Sequence, residues 1–264
     1  MNGAPHIDST TVEAVDFPHL PRHHSACQSC QLNEHCLPAL FTGNQASLRD
    51  TVLSKLVKQQ NVHVLRREYL FRQDDPFHSL YIVHSGAVKT VLLDESGCEQ
   101  ITGFFFPGDL FGLDGINTHH YATSCVALGN ASVCAIEFSQ LENLSTHVPS
   151  LQHHIFKMMA REIERNQRTM AILSRKTAEQ RVAHLLLRYA LHLKRLRLST
   201  QDFSLPMSRR DMANHLGLAV ETVSRILSRF QHLDLCCIHG RRVLALKLSA
   251  LQEQFEKGHP PIMQ

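Results

Sequence analysis

The stretch from Arg209 to Ser228, RRDMANHLGLAVETVSRILS, has the pattern of two short helices that cross at a tight turn. Crossing helices need a small residue where their backbones approach each other, and Ala213 stands at that point. The turn needs a residue that tolerates a positive φ angle, and Gly217 supplies it. Ser208 is the expected N-cap of the first helix. The inward positions are all apolar, namely Met212, Leu216, Leu218, Val223 and Ile226. The stretch therefore predicts a helix-turn-helix.

The second helix of this motif presents polar side chains on the face opposite its apolar residues. Glu221, Ser224 and Arg225 follow an i, i+3, i+4 spacing, so they share one face. An arginine can donate to O6 and N7 of guanine, and a glutamate can accept from N4 of cytosine. We therefore expect these three residues to read bases in double-stranded DNA. Phosphate contacts, which orient a protein without specifying sequence, are expected from Arg209, Arg210, Thr222 and Arg229.

The distribution of charge supports a separate nucleic-acid-binding part. Residues 177–264 carry 13 Lys and Arg against 7 Asp and Glu, whereas residues 1–176 carry 14 against 17. A basic C-terminal third beside an acidic remainder fits a DNA-binding module attached to a sensor domain, although a solvated basic surface gives the same balance. A hairpin-like end from Leu235 to Leu248, turning at His239-Gly240, would place Arg241 and Arg242 as a wing on the DNA backbone.

Between Val62 and Phe138 the chain has the composition of short strands. Segments such as Leu80–Val83 and Ser132–Phe138 are rich in Val, Ile, Leu and Phe. Turn signals separate them, for example Asp74-Asp75-Pro76 and Pro107-Gly108-Asp109. Many short strands at close spacing predict a small barrel, roll or sandwich.

From about Pro149 to Lys176 the period changes to that of a long helix. Its apolar seam follows a 3-4-3-4-3 spacing through Phe156, Met159, Ile163, Asn166, Met170 and Leu173. Such a seam can pack on its own domain or on the same helix of a second copy. Asn166 favours the homodimer, because a polar residue within a seam usually specifies register and oligomer state.

Three cysteines lie close together in the pattern C-x2-C-x5-C, at Cys27, Cys30 and Cys36. Three thiolates within ten residues can surround one soft metal centre, and either zinc or an iron–sulfur cluster would require a fourth ligand. The candidates for that ligand are Cys98, Cys125, Cys134, Cys236, Cys237 and His35. Spacing alone leaves zinc, an iron–sulfur cluster and free thiols open. Cys236 and Cys237 are adjacent on an expected strand and point to opposite faces, which makes them poor co-ligands.

The remaining sequence features bear on compartment and on catalysis. The segment from Met1 to Arg22 has no apolar core like that of a signal peptide, and no run approaches the roughly 18 apolar residues of a membrane helix. We therefore expect a cytoplasmic protein that does not contact a membrane, in which structural disulfides are rare. No HExxH, P-loop or nucleophile-elbow motif is present, so we expect neither an enzyme nor a small-molecule substrate.

Several of these segments together resemble a known family. The cysteine triplet, the stretches Ser79–Gly86 and Glu99–Leu110, and the helix that begins VETVSR at Val220 are similar to the Fnr type of the Crp/Fnr regulator superfamily. The similarity runs from about Cys27 to Leu248. It implies an α+β fold with a cyclic-nucleotide-binding-like β-roll, a long dimerisation helix and a C-terminal winged helix-turn-helix. The implied boundaries are an N-terminal tail with the cysteine segment (1–46), the roll (47–146), the dimerisation helix (147–176), the winged helix-turn-helix (177–250) and a C-terminal tail (251–264).

The resemblance also implies a cofactor and a mode of action. It implies a [4Fe-4S] cluster held by Cys27, Cys30, Cys36 and a cysteine late in the roll. Cys134 is chosen because its segment resembles the one that carries this ligand, and Cys125 is the runner-up. In such proteins the cluster-loaded dimer binds DNA at low oxygen and works with RNA polymerase as an activator of anaerobic gene expression. Val220 before Glu221 resembles the Fnr type, which reads TTGAT-like half-sites.

The chain departs from the family pattern in two places. Arg67 and Gln73-Asp74 fall where the family often has turn glycines, so the first hairpin is expected to differ. Asn166 falls where Fnr proteins often carry an aspartate in the dimer seam, so oxygen sensitivity is expected to be tuned differently.

The alternative is a regulator of the same fold that senses a haem-bound gas or a cyclic nucleotide, with the cysteines holding structural zinc. The chain has 19 histidines, any of which could be a haem ligand, but a haem-based sensor would leave the cysteine triplet unexplained. A cyclic phosphate needs a cationic partner, and residues 112–128, where the family places one, contain neither Arg nor Lys.

Overall fold

The computed structural model describes Leu32 and residues 57–147 and 149–256 of the chain. The expected cysteine segment, with Cys27, Cys30, Cys36 and His35, lies outside the described residues. The first eight strands are β1 (Val57–Val64), β2 (Tyr69–Phe71), β3 (Ser79–Ser85), β4 (Val88–Leu93), β5 (Glu99–Phe105), β6 (Leu110–Phe111), β7 (Ser124–Ala127) and β8 (Ala131–Glu137). They form two four-stranded antiparallel sheets, ordered β1-β8-β3-β6 and β2-β7-β4-β5, which together make the expected β-roll.

The two turns that flank β2 place residues other than glycine at positive φ angles. Arg67 and Asp74 both adopt positive φ angles, 70° and 69°, a conformation that favours glycine. The Glu68 carboxylate accepts a hydrogen bond from the Leu65 amide, and the Asp75 carboxylate accepts one from the Arg72 amide. Hydrogen bonds to the side chains next to these two residues therefore help to stabilise turns whose φ angles would favour glycine.

Two helices lead out of the roll. Helix α1 (Phe138–His147) follows β8 without a break, and helix α2 (Pro149–Arg175) follows α1. Leu141 of α1 and Leu151 of α2 are buried in the core of the roll. The start of the long helix is therefore attached to the roll, and the helix begins where the apolar period predicts it. Helix α1 itself was not expected from the sequence.

The C-terminal part is a winged helix-turn-helix. Its elements are α3 (Ala178–Arg195), β9 (Phe203–Ser204), α4 (Arg209–Leu216), α5 (Val220–His232), β10 (Cys237–His239), β11 (Arg242–Leu244) and α6 (Leu248–Glu256). Ser208 caps α4 through a reciprocal pair of hydrogen bonds with Asp211, and Gly217 has a φ of 62° in the turn. Met212, Ala213, Leu216, Val223 and Ile226 are buried, and Leu218 packs against their core. These observations confirm the helix-turn-helix and its N-cap.

The structure adds two elements that the sequence did not predict. Strand β9 completes a three-stranded wing in the order β10-β11-β9. Helix α6 reaches Glu256, so residues 251–256 are helical where a tail was expected. These elements are short, and contacts between distant segments, rather than local periodicity, determine them.

The roll has an inner and an outer core. Val88, Phe105 and Phe111 belong to the inner core between the sheets. On the outer face of the second sheet, a set of apolar side chains joins the core of the C-terminal part: Ala87, Val91, Ile101, Phe104, Phe106, Val126 and Leu128. The roll and the helix-turn-helix therefore share one apolar interface.

Candidate functional site

The base-reading face predicted for α5 is open to solvent. Glu221 and Arg225 are exposed, and Ser224 is half-buried between them. Val223, Ile226 and Phe230 on the opposite side are buried. The apolar side of α5 therefore holds the helix in the fold, while the donors and acceptors suited to base edges remain accessible.

Two of the four residues expected to contact phosphates have partners within the protein. The Arg209 guanidinium donates to Ser224 Oγ at 3.2 Å, which ties α4 to the reading face of α5. The Arg229 guanidinium pairs with the Glu179 carboxylate of α3 at 2.6 Å. Arg210 is exposed and Thr222 is half-buried. Arg229 therefore has a structural role, joining α5 to α3, that the sequence did not reveal.

The wing carries the two arginines expected on it. Strands β10 and β11 meet at Gly240, which has a φ of 62°, and both Arg241 and Arg242 are exposed. The Arg241 guanidinium donates to the Pro206 carbonyl at 3.1 Å, so this side chain also braces the loop before α4. Cys236 is buried and Cys237 is half-buried, which agrees with their expected opposite faces. Burial raises the pKa of the Cys236 thiol to about 11, consistent with a packing residue.

The apolar seam of α2 is largely uncovered by its own chain. Phe156, Ile163 and Met170 are 61%, 57% and 66% exposed, and Asn166 is exposed as well. Met159 is half-buried, whereas Leu173 packs against the core of the C-terminal part. Exposed large apolar side chains in a row mark a surface that another protein surface covers.

A cavity of about 390 Å³ lies between α2 and the second sheet of the roll. The Arg165 guanidinium from α2 reaches into it, 4.3 Å from the centroid of the Phe105 ring. The same guanidinium pairs with the Glu162 carboxylate at 2.5 Å, and Asp114 also lines the cavity. Sequence reasoning missed this cation because it sought one in residues 112–128, but it comes from a helix that packs across the roll. Glu162 neutralises this cation, and Asp114 adds a second carboxylate to the cavity lining, so the cavity is unfavourable for a phosphate.

The two late cysteines of the roll have different environments. Cys125 on β7 is fully buried in the inner core, where burial and then the Asp114 charge raise the pKa of its thiol well above the ordinary value. Cys134 on β8 is half-buried, paired in register with Ile82 of β3, and lies four residues before α1. Cys98 is exposed in the turn between β4 and β5. Cys134 is therefore more accessible from outside the roll than Cys125.

Within residues 57–147 and 149–256, no three His, Cys, Asp or Glu side chains are grouped as a metal site. Over the same ranges, none of the helices combines the length and the apolar character needed to span a bilayer.

Comparisons with known proteins agree with this architecture. Residues 61–147 match the cyclic nucleotide-binding domain family, and residues 180–254 match the Crp-like helix-turn-helix domain family. The transcriptional activator protein Anr of Pseudomonas aeruginosa is 40% identical over 88% of this chain and 92% of its own length. The fumarate and nitrate reduction regulatory protein of Vibrio cholerae is 34% identical over 86% of this chain and 89% of its own. The solved structure of FixK2 from Bradyrhizobium japonicum matches 73% of this chain and 95% of its own, with 31% identity and a TM-score of 0.64.

Proposed function

The chain belongs to the Crp/Fnr family of transcription regulators, and from that premise we propose that it is an oxygen- or redox-responsive regulator of anaerobic gene expression in the cytoplasm. Regulators of this family bind DNA, work as dimers and are not enzymes. In the proposed active form, two copies paired through α2 bind palindromic DNA with TTGAT-like half-sites and contact RNA polymerase. The names of the relatives, which include an anaerobic activator and a fumarate and nitrate reduction regulator, support the signal that we propose.

The DNA-binding part of the proposal rests on the open reading face of α5. A dimer needs two such helices in major grooves one helical turn apart, roughly 34 Å. The exposed seam of Phe156, Ile163 and Met170 supports pairing through α2, which would place the two reading helices on the same side of the molecule.

The observation that carries the sensor part is the position of Cys134. We assign Cys27, Cys30, Cys36 and Cys134 as the residues that would hold a [4Fe-4S] cluster. When bound, such a cluster supplies sulfur–iron bonds that an oxidant can break. Cys134 fits this assignment because it is half-buried, whereas Cys125 is fully enclosed in the inner core.

The fold offers a path from Cys134 to the dimer seam. Strand β8 passes directly into α1 at Phe138, and α1 is followed by α2. Leu141 and Leu151 attach α1 and the start of α2 to the core of the roll, next to β8. A change in how β8 is held at Cys134 would therefore alter the packing at the start of α2 and shift the balance between monomer and dimer.

Purification without air provides the test of this function. We expect the full chain to be coloured, to contain iron and sulfide in cluster proportion and little zinc, and to bind the palindromic duplex as a dimer. Exposure to air should remove the colour and the DNA binding together. A colourless protein that contains zinc and binds DNA equally well with and without air would contradict the proposal and favour structural zinc with another signal.

Replacing Arg225 with alanine tests the reading face. The exposed guanidinium is expected to pair with a guanine, so Arg225→Ala should weaken binding to the specific duplex by about 1–3 kcal/mol. Binding to unrelated DNA should change much less. Arg210→Ala is the matched control, because loss of a phosphate contact should weaken both kinds of DNA about equally. An unchanged ratio of specific to non-specific affinity in Arg225→Ala would exclude this residue as a base reader.

A further inference from the structure

Strand β5 forms one edge of the second sheet of the roll, beside β4. An edge strand leaves backbone N–H and C=O groups without a neighbouring strand. Ile101 in this strand is only 3% exposed, so an unpaired amide there would be costly. Something other than a strand must therefore satisfy this edge.

The side chain of Asn214, at the C-terminal end of α4, makes the hydrogen bonds that a neighbouring strand would make. Its Oδ1 accepts from the Ile101 amide at 2.6 Å, and its Nδ2 donates to the Glu99 carbonyl at 2.7 Å. In return, Nε2 of Gln100 donates to the Asn214 backbone carbonyl at 2.9 Å. We call the contacts of Asn214 with Glu99, Gln100 and Ile101 the edge latch. In the edge latch, the Asn214 side chain joins the helix-turn-helix to the roll as both a hydrogen-bond donor and a hydrogen-bond acceptor.

Two further contacts flank the edge latch. Nδ1 of His215 lies 3.1 Å from the Ile101 carbonyl, and burial lowers the pKa of this histidine to about 4, so the ring is neutral near pH 7 and can donate. The Lys89 ammonium pairs with the Asp211 carboxylate at 2.8 Å, and both side chains are 17% exposed. The first helix of the motif is therefore held on the roll at three neighbouring positions.

The edge latch influences the orientation of α5 because α4 and α5 are packed together as one unit. They share a buried core and are joined by the three-residue turn at Gly217. In the latched arrangement Glu221 and Arg225 remain exposed, so docking on the roll is compatible with reading DNA. The attachment of α4 to β5 therefore acts together with the Arg229–Glu179 pair and the shared apolar interface to hold α5 at one angle to α2.

We propose that Asn214 is a positioning residue that sets the angle of α5 relative to α2, and thereby the half-site spacing that the dimer accepts. This inference rests on the proposed function, because spacing has meaning only for a dimer that binds two half-sites. Asn214 itself touches no base. It acts by restricting the two reading helices of the dimer to one separation, which lowers the cost of ordering them when DNA binds.

The test compares three variants of the full chain, purified without air, on palindromic duplexes. The first duplex has TTGAT half-sites one helical turn apart, and others have one or two base pairs added between them. Asn214→Ala removes both side-chain hydrogen bonds and does not weaken α4, because alanine favours helix more than asparagine does. Lys89→Ala removes the flanking ion pair from the roll side. Asn117→Ala, at an exposed asparagine in the roll, is the matched control.

We expect Asn214→Ala to remain a dimer by sedimentation and to bind the first duplex about tenfold more weakly than the unaltered protein. Its preference for the first duplex over the lengthened ones should fall by a similar factor. Lys89→Ala should lower both the affinity for the first duplex and the spacing preference, but by smaller factors. Asn117→Ala should change neither quantity. A dimeric Asn214→Ala protein with an undiminished spacing preference would overturn the inference.

Failure of the proposed function would look different. If the unaltered protein binds none of the duplexes, the proposed function is wrong. Hydrogen exchange of the unliganded chain then tests whether the edge latch exists. Exchange of the Ile101 amide should be about tenfold faster in Asn214→Ala than in Asn117→Ala. Equal exchange rates in the two variants would overturn the edge latch itself.

Discussion

Replacing Cys134 with alanine is expected to leave a folded protein that is mostly monomeric and binds the specific duplex roughly 100-fold or more weakly. The fold should survive because Cys134 is half-buried and the substitution removes a single sulfur atom, at a cost of about 1 kcal/mol or less. DNA binding should be lost because β8 would no longer be tied to the N-terminal cysteines. Sedimentation and fluorescence anisotropy on protein prepared without air measure both effects.

Two other cysteines of the roll provide controls for this result. Cys98→Ala, in an exposed turn, should retain the iron content and the DNA affinity of the unaltered protein. Cys125→Ala should lower the stability of the roll, because Cys125 is fully buried, and should retain the iron. A Cys134→Ala protein that remains an iron-containing, DNA-binding dimer while Cys125→Ala loses its iron would transfer the ligand assignment to Cys125.

Replacing Ile163 with glutamate is expected to abolish dimer formation without unfolding the chain. Ile163 is 57% exposed in the single chain, so a polar side chain there should change the free energy of unfolding of the monomer by only about 0.5 kcal/mol. In a dimer paired through α2, the two carboxylates would face each other in an apolar seam and would lose their hydration. We expect a monomer at micromolar concentration and a loss of affinity for the palindrome comparable to that of Cys134→Ala.

The control for Ile163→Glu is a variant that also makes the net charge more negative by one unit, but on the opposite face of α2. Arg161→Gln does this, because Arg161 is exposed and lies away from the seam. This variant should remain dimeric. If Ile163→Glu also sediments as a dimer with full DNA affinity, the seam does not form the dimer interface.

The local pattern of the sequence was sufficient for the elements that carry DNA recognition. Ala213, Gly217 and the apolar positions of α4 and α5 predict the helix-turn-helix, because helix periodicity and turn chemistry act over a few residues. The same holds for the long helix α2, which the 3-4 spacing predicts, whereas the structure shows which seam residues its own chain leaves exposed. The choice of Cys134 over Cys125 rested on resemblance, and the different burial of the two thiols supports it.

The tertiary structure alone decided which distant groups meet. Arg165 enters a cavity whose other charged side chains include Asp114, 51 positions earlier in the chain. Arg229 pairs with Glu179, and Asn214 completes the edge of β5. None of these pairings has a period or a spacing in the sequence, because each depends on how the roll, α2 and the helix-turn-helix pack against one another. The sequence thus determined the helix-turn-helix and the seam helix α2. The packing of the shared apolar interface determined how these elements are oriented relative to each other.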